Sequence, residues 1–219
     1  MARQLTFDLP VRTALGRGDF FVSAANAQAL ARISDWAEWP LGKLALVGPE
    51  GAGKTHLAHV WAEETGGRVL TAEDLVGLDV TAVDTALAVD AADTLPADQE
   101  PTLFHLHNHL AAARLPLLLI GRTAPARWKI TLPDLKSRLD AADVARIDAP
   151  DDALLAAVLV KLFADRQLLV SPQVIDWLLP RMERSFAFAQ RLVSELDREA
   201  LATGRAVTRP VATQVLSRL

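Results

Sequence analysis

The stretch "KLALVGPEGAGKTHLAHVWAEE" (43–64) constrains the fold more than any other part of the chain. "LALV" reads as a strand and "HLAHVWAEE" as a helix, and the turn between them, "GPEGAGKT" (48–55), satisfies the phosphate-loop (Walker A) pattern. Phosphate recognition demands that order. Glycines let backbone N–H groups turn inward, the helix N-terminus adds positive potential, and the lysine reaches terminal phosphates while the hydroxyl ligates magnesium. Gly48, Pro49, Glu50, Gly51, Ala52, Gly53, Lys54, Thr55 and His56 are therefore the expected nucleotide cradle, with Thr55 on Mg2+. The bland alternative is an ordinary strand-to-helix turn that matches by chance.

A strand feeding such a loop belongs in a parallel sheet, and the chain supplies further strands. Short apolar runs "RVL" (68–70), "TALAVD" (85–90), "LPLLLIG" (115–121) and "VARID" (144–148) alternate with longer amphipathic segments. Continuous apolar runs suit strands covered on both faces, so a five-stranded α/β core flanked by helices is expected. Ahead of it, Ser23 is placed to cap a helix through "NAQALARISDWAEW", while residues 1–18, broken by Pro10, Gly16 and Gly18, read as an extended arm. Beyond "DAPDD" (148–152) the strand signal stops. Leu155, Val158, Leu159, Leu162 and Phe163 form one helical stripe, Ser171-Pro172 and Ser185 open two further helices, and a fourth begins near Thr208. The expected division is thus an arm (1–18), an α/β nucleotide-binding core (19–150) and a small all-α lid (151–219).

Composition narrows the function classes. Cysteine is absent, which excludes disulfides and thiolate chemistry and fits a reducing cytoplasm. The first residues lack a secretory apolar core, and the longest apolar stretch, "ALLAAVLV", is too short to span a bilayer, so no membrane partner is expected. A net charge of −4, with no basic block, argues against strong direct nucleic-acid binding.

Asp90 ends the third apolar run and is the natural Mg2+ partner of Thr55; the alternative is a solvated strand-end acid. The next residue is Ala91, which can neither accept a proton nor order a water. Asp93, three residues on, is expected to point elsewhere unless a loop brings it back.

Several segments resemble, in order, those of the bacterial replication initiator DnaA, and the chain is identified as a member of the DnaA-like AAA+ family. "GPEGAGKTHLAHVW" resembles its phosphate loop, and "DFFVSAANAQA" (19–29) its segment near adenine, which implicates Phe21, Val22 and Asn26 in nucleotide binding. "PTLFHLHNHL" (101–110) resembles the helix after the magnesium strand, and "LPDLKSRL" (132–139) the arginine-finger segment, implying that Arg138 reaches a nucleotide held by a neighbouring subunit. The initiator's DNA-binding domain has no counterpart after the lid. "QLTFDL" (4–9) resembles the hexapeptide that docks on the replication sliding clamp, with Gln4 as polar contact and Leu5, Phe7 and Leu9 as apolar anchors. That combination is the pattern of the Hda branch of the family, which promotes hydrolysis of ATP bound to DnaA.

The departures from the family pattern concern hydrolysis. Ala91 stands where a second acid is usual, Gly121 where a polar sensor is usual (with Arg122 and Thr123 nearby), and Ala187 where a lid arginine is usual, with Arg191 one turn later as a possible substitute. The resemblance therefore implies a regulator that holds ADP or ATP with Mg2+, is ADP-bound when active, and has negligible ATPase of its own. A homo-oligomer is compatible with this reading. A free-standing P-loop ATPase or kinase, and an AAA+ loader or origin-DNA factor, remain alternatives. His105/His109 and His56/His59 are helically spaced pairs but make poor metal sites, and Trp36, Trp39 and Trp61 are expected to serve packing.

Overall fold

The computed structural model describes residues 21–219. The clamp-like hexapeptide with Gln4, Leu5, Phe7 and Leu9 lies outside the described residues. Five strands, β1 (Lys43–Val47), β2 (Arg68–Leu70), β3 (Leu87–Val89), β4 (Leu117–Gly121) and β5 (Asp143–Arg146), form one sheet in the order β2-β3-β4-β1-β5. Every adjacent pair is parallel. Helices α1 (Ala27–Ser34), α2 (Lys54–Thr65), α3 (Glu100–Ala113) and α4 (Pro133–Asp140) accompany the sheet. The remaining helices, α5 (Asp152–Asp165), α6 (Pro172–Leu178), α7 (Phe186–Thr203) and α8 (Arg209–Leu216), follow it.

All residues of β1 and β4 are buried, as continuous apolar central strands require. Edge strands β2 and β5 are short and partly exposed, so the expectation of burial on both faces holds at the centre of the sheet and fails at its margins. One face packs Ile33, Leu57 and Trp61 against the sheet, and the other packs Leu103, Leu106 and Leu139. Trp39 stacks on Trp61 at 5.4 Å and donates its indole N–H to the Arg32 carbonyl, so both rings serve packing.

The first helix departs from the sequence expectation. The Ser23 hydroxyl accepts from the Ala25 N–H at 3.1 Å, but it closes a turn over residues 23–26, and the regular helix runs only from Ala27 to Ser34 before a short 3-10 segment, Trp36–Glu38. That turn is tied to the preceding segment by the Asn26 side chain, which accepts from Ser23 N–H at 2.8 Å and donates to the Phe21 carbonyl at 2.9 Å.

The last four helices build a separate apolar cluster around Leu155, Leu159, Phe163, Leu192 and Leu196. Ser185 caps α7 through the Phe188 N–H, as expected, and Gly204 ends it in the left-handed conformation. Ser171 and Thr208 stand at N-cap positions without a side-chain cap bond. The stripe read on α5 holds together: Leu155, Leu159 and Phe163 enter the lid core, and Val158 and Leu162 pack at its margin while also lining a cavity beside the phosphate loop.

Candidate functional site

The turn after β1 carries Gly51 at φ +76° and Gly53 at φ +81°, a backbone that L side chains rarely adopt. A Cβ on Gly51 would also approach Phe186 Cβ to 2.9 Å and Gln190 Nε2 to 3.3 Å. The lid helix α7 therefore rests directly on the phosphate loop. Lys54 opens α2 and donates to the Gly48 and Pro49 carbonyls at 2.9 and 2.7 Å. Burial lowers its pKa, partly opposed by the carboxylates of Asp90 and Asp93. The next residue, Thr55, donates to Asp90 Oδ2 at 2.7 Å, so the loop hydroxyl and the strand-end acid expected to share a cation are in contact. Two hard oxygen donors beside a phosphate cradle fit Mg2+, which takes one or two protein oxygens and completes its shell with water and phosphate.

A cavity of about 190 Å³ lies against this loop. Phe21, Asn26, Gly51, Ala52, Gly53 and His56 line one side, and Leu154, Val158, Leu162, Phe186 and Gln190 the other. The segment expected near adenine thus does reach the cavity, pinned there by the buried Asn26. Val22 packs on the apolar core instead of lining it. Arg191 is not brought into this cavity: its guanidinium lies over the Phe188 ring at 5.7 Å, on the lid side, and Gln190 occupies the neighbouring helical phase that faces the loop. Helix phase alone decides this, because Phe186 and Gln190 are four residues apart and share a face.

Two further residues complete the site, and the sequence reading missed how. Ala91 adopts φ +54°, and the tight turn it makes brings Asp93 back to accept the Arg122 backbone N–H at 2.8 Å. Asp93 also raises the pKa of Lys54, so the expectation that it points elsewhere is corrected. At Gly121 a Cβ would meet Trp128 at 2.8 Å and Asp93 Cβ at 3.2 Å, so the indole fills the space that a side chain there would need. The ring is fixed there by its N–H donating to the Thr123 carbonyl at 2.7 Å. Arg122, 63% exposed, reaches back to Glu50 of the phosphate loop at 3.8 Å.

Arg138 stands elsewhere. Its guanidinium lies 5.1 Å over the Phe104 ring, and it shares a small pocket with Lys43, the first residue of β1. The phosphate loop leaves the other end of that strand, and five residues span about 16 Å. Arg138 therefore cannot serve its own phosphate loop. Its helix is held by Glu100, which is 1% exposed and accepts from the Thr131 and Leu132 backbone N–H groups and the Thr131 hydroxyl. Burial pushes this carboxyl upward, and the hydrogen bonds outweigh it, holding the pKa below the usual value. Among the described residues there is no group of three or more potential metal ligands of the His, Cys, Asp and Glu kind; His109 instead bonds the Val83 carbonyl at 2.7 Å. No helix among them is long and apolar enough to cross a membrane.

Known proteins share this architecture. Residues 152–216 match the family model described as Hda, lid domain. The crystal structure of domain III from the Thermotoga maritima replication initiation protein DnaA superposes with a TM-score of 0.76 at 19% identity, covering 95% of this chain and 98% of that one. The replication initiator DnaA bound to AMPPCP and single-stranded DNA gives 0.65 at 19% identity, over 85% of this chain and 66% of that one. AMPPCP-bound DnaA from Aquifex aeolicus gives 0.63 at 21% identity, over 84% and 64%. The chain has the fold of DnaA domain III, and its helical lid matches the Hda lid-domain model.

Proposed function

We propose that this protein is a nucleotide-holding regulator of replication initiation that stimulates hydrolysis of ATP bound to the initiator DnaA. The observation that carries the reading is the separation of two parts: a formed phosphate loop at one end of β1 and Arg138 at the other. An arginine so placed acts only on a nucleotide presented by another molecule. A guanidinium at that point stabilises charge developing on a γ-phosphate, an effect worth roughly three to five orders of magnitude in rate.

The protein's own site binds and does not turn over. Lys54 and the loop N–H groups hold the phosphates of ADP or ATP, Thr55 and Asp90 hold Mg2+, and Phe21, Asn26, Phe186 and Gln190 enclose the base and sugar. Mg2+, when bound, neutralises phosphate charge. Water activation lacks a base at Ala91, and Asp93 is engaged by the Arg122 N–H. AMPPCP in two structurally similar DnaA chains supports a nucleotide in this cavity. Docking on the sliding clamp through Gln4, Leu5, Phe7 and Leu9 would bring Arg138 to its target, in a cytoplasmic setting. Purified protein with ATP and Mg2+ tests the division of labour: tight nucleotide binding without turnover is expected, and turnover abolished by Lys54→Ala would refute it.

A further inference from the structure

Lys43, His107, Ser137 and Arg138 meet around a cavity of about 180 Å³ at the foot of β1, walled on its other side by Leu41. Lys43 is only 2% exposed, and its hydrogen bond, to the Leu41 carbonyl, is long at 3.3 Å. Among the described residues no carboxylate pairs with Lys43 or with Arg138. His107 is 8% exposed, and its Nδ1 is buried without a hydrogen-bond partner. Leu41 itself sits at φ +55°, a strained conformation for a branched residue.

Each of these features opposes folding on its own. A buried ammonium without a counter-charge is strongly unfavourable, and a guanidinium nearby makes it more so. Burial and the neighbouring Lys43 cation push His107 down to about 4, so at neutral pH it is an uncharged imidazole, in contact with the Asn108 side chain, and adds no counter-charge. The cavity is therefore rich in donors and holds no acid. A tetrahedral oxyanion answers the charge imbalance: it neutralises both cations and accepts from ammonium, guanidinium and hydroxyl. The space suffices for a phosphate group.

We propose that this pocket is an oxyanion site that takes a phosphate group, with Lys43 as its principal ligand beside Arg138. The group comes either from a nucleotide held by an adjoining molecule or from free phosphate, and the site stands whether or not Arg138 acts as a finger. Inorganic phosphate is the probe, titrated calorimetrically into full-length Lys54→Ala protein so that the phosphate-loop lysine does not contribute. Saturable binding is expected, at least tenfold weaker once Lys43→Met is added. The unfolding midpoint of the Lys43→Met protein in phosphate-free buffer should be unchanged or raised, because an uncompensated charge is gone. Absence of saturable binding, indifference to Lys43→Met, or a lowered midpoint that assigns Lys43 to packing would overturn the proposal. Stimulated hydrolysis of initiator-bound ATP then identifies the source. A drop of tenfold or more with Lys43→Met places the group on the neighbour's nucleotide, whereas full stimulation with lost phosphate binding places it in solution.

Discussion

At Gly121 the end of β4 meets the Trp128 ring, and at Gly51 the phosphate loop meets α7. These two glycines carry different consequences. Restoring a polar sensor by Gly121→Asn forces the indole aside, so a loss of about 1–3 kcal/mol is expected in chemical denaturation, with no gain in ATP turnover. Gly51→Ala strains a left-handed backbone and presses on Phe186, and equilibrium binding should show at least a tenfold loss of ADP affinity. The cradle from Gly48 to Thr55 was legible in the sequence because its chemistry is local, fixed by a strand, a turn and a helix in succession. Asp90 was legible as a strand end. Asp93 and Gln190 were not, because their placement depends on the left-handed turn at Ala91 and on which face of α7 meets the loop.

Among the elements, α4 matters most, since it carries Arg138 and is tied to α3 through Glu100. Replacing Glu100 by alanine leaves the Thr131 and Leu132 N–H groups without their acceptor, and a loss of about 1–2 kcal/mol is expected. The pH dependence follows from the depressed pKa: the carboxylate's contribution is complete above the unfolded value near 4.5 and is lost as pH falls through the lower folded value. The difference between parent and Glu100→Gln stability should therefore shrink on acidification, read from urea midpoints between pH 7 and pH 3. His107 acts over another range. Its folded pKa of about 4 lies below the unfolded 6.5, so the unfolded chain takes up the extra proton and stability falls as pH drops from 6.5 towards 4. His107→Leu should flatten that decline, by up to about 3 kcal/mol. The strands were read correctly from continuous apolar runs. The start of α1 was not, because the turn ahead of it is tied by the Asn26 side chain, which no hydrophobic period reveals.

At the scale of the whole molecule, the cavity lies between the phosphate loop and the lid, so a ligand there links two apolar cores that otherwise meet mainly through α5 and α7. ADP at a hundred times its Kd should stabilise the native state by about 2.7 kcal/mol, raising Tm by roughly 5–10 °C for a chain of this size. Calorimetric scans with and without ADP would register it, and Lys54→Ala should abolish most of the shift. The division of roles follows from the same geometry. One end of β1 leads into the phosphate loop beneath the lid, the other lies beside Arg138, and a fully buried strand separates the two.

The most direct test of this account is phosphate release from ATP pre-bound to the DnaA initiator, measured with DNA-loaded sliding clamp and either the parent protein or Arg138→Ala. Stimulation by the parent, lost in Arg138→Ala while ADP binding is retained, is the expected result. Full stimulation by Arg138→Ala would contradict the central claim.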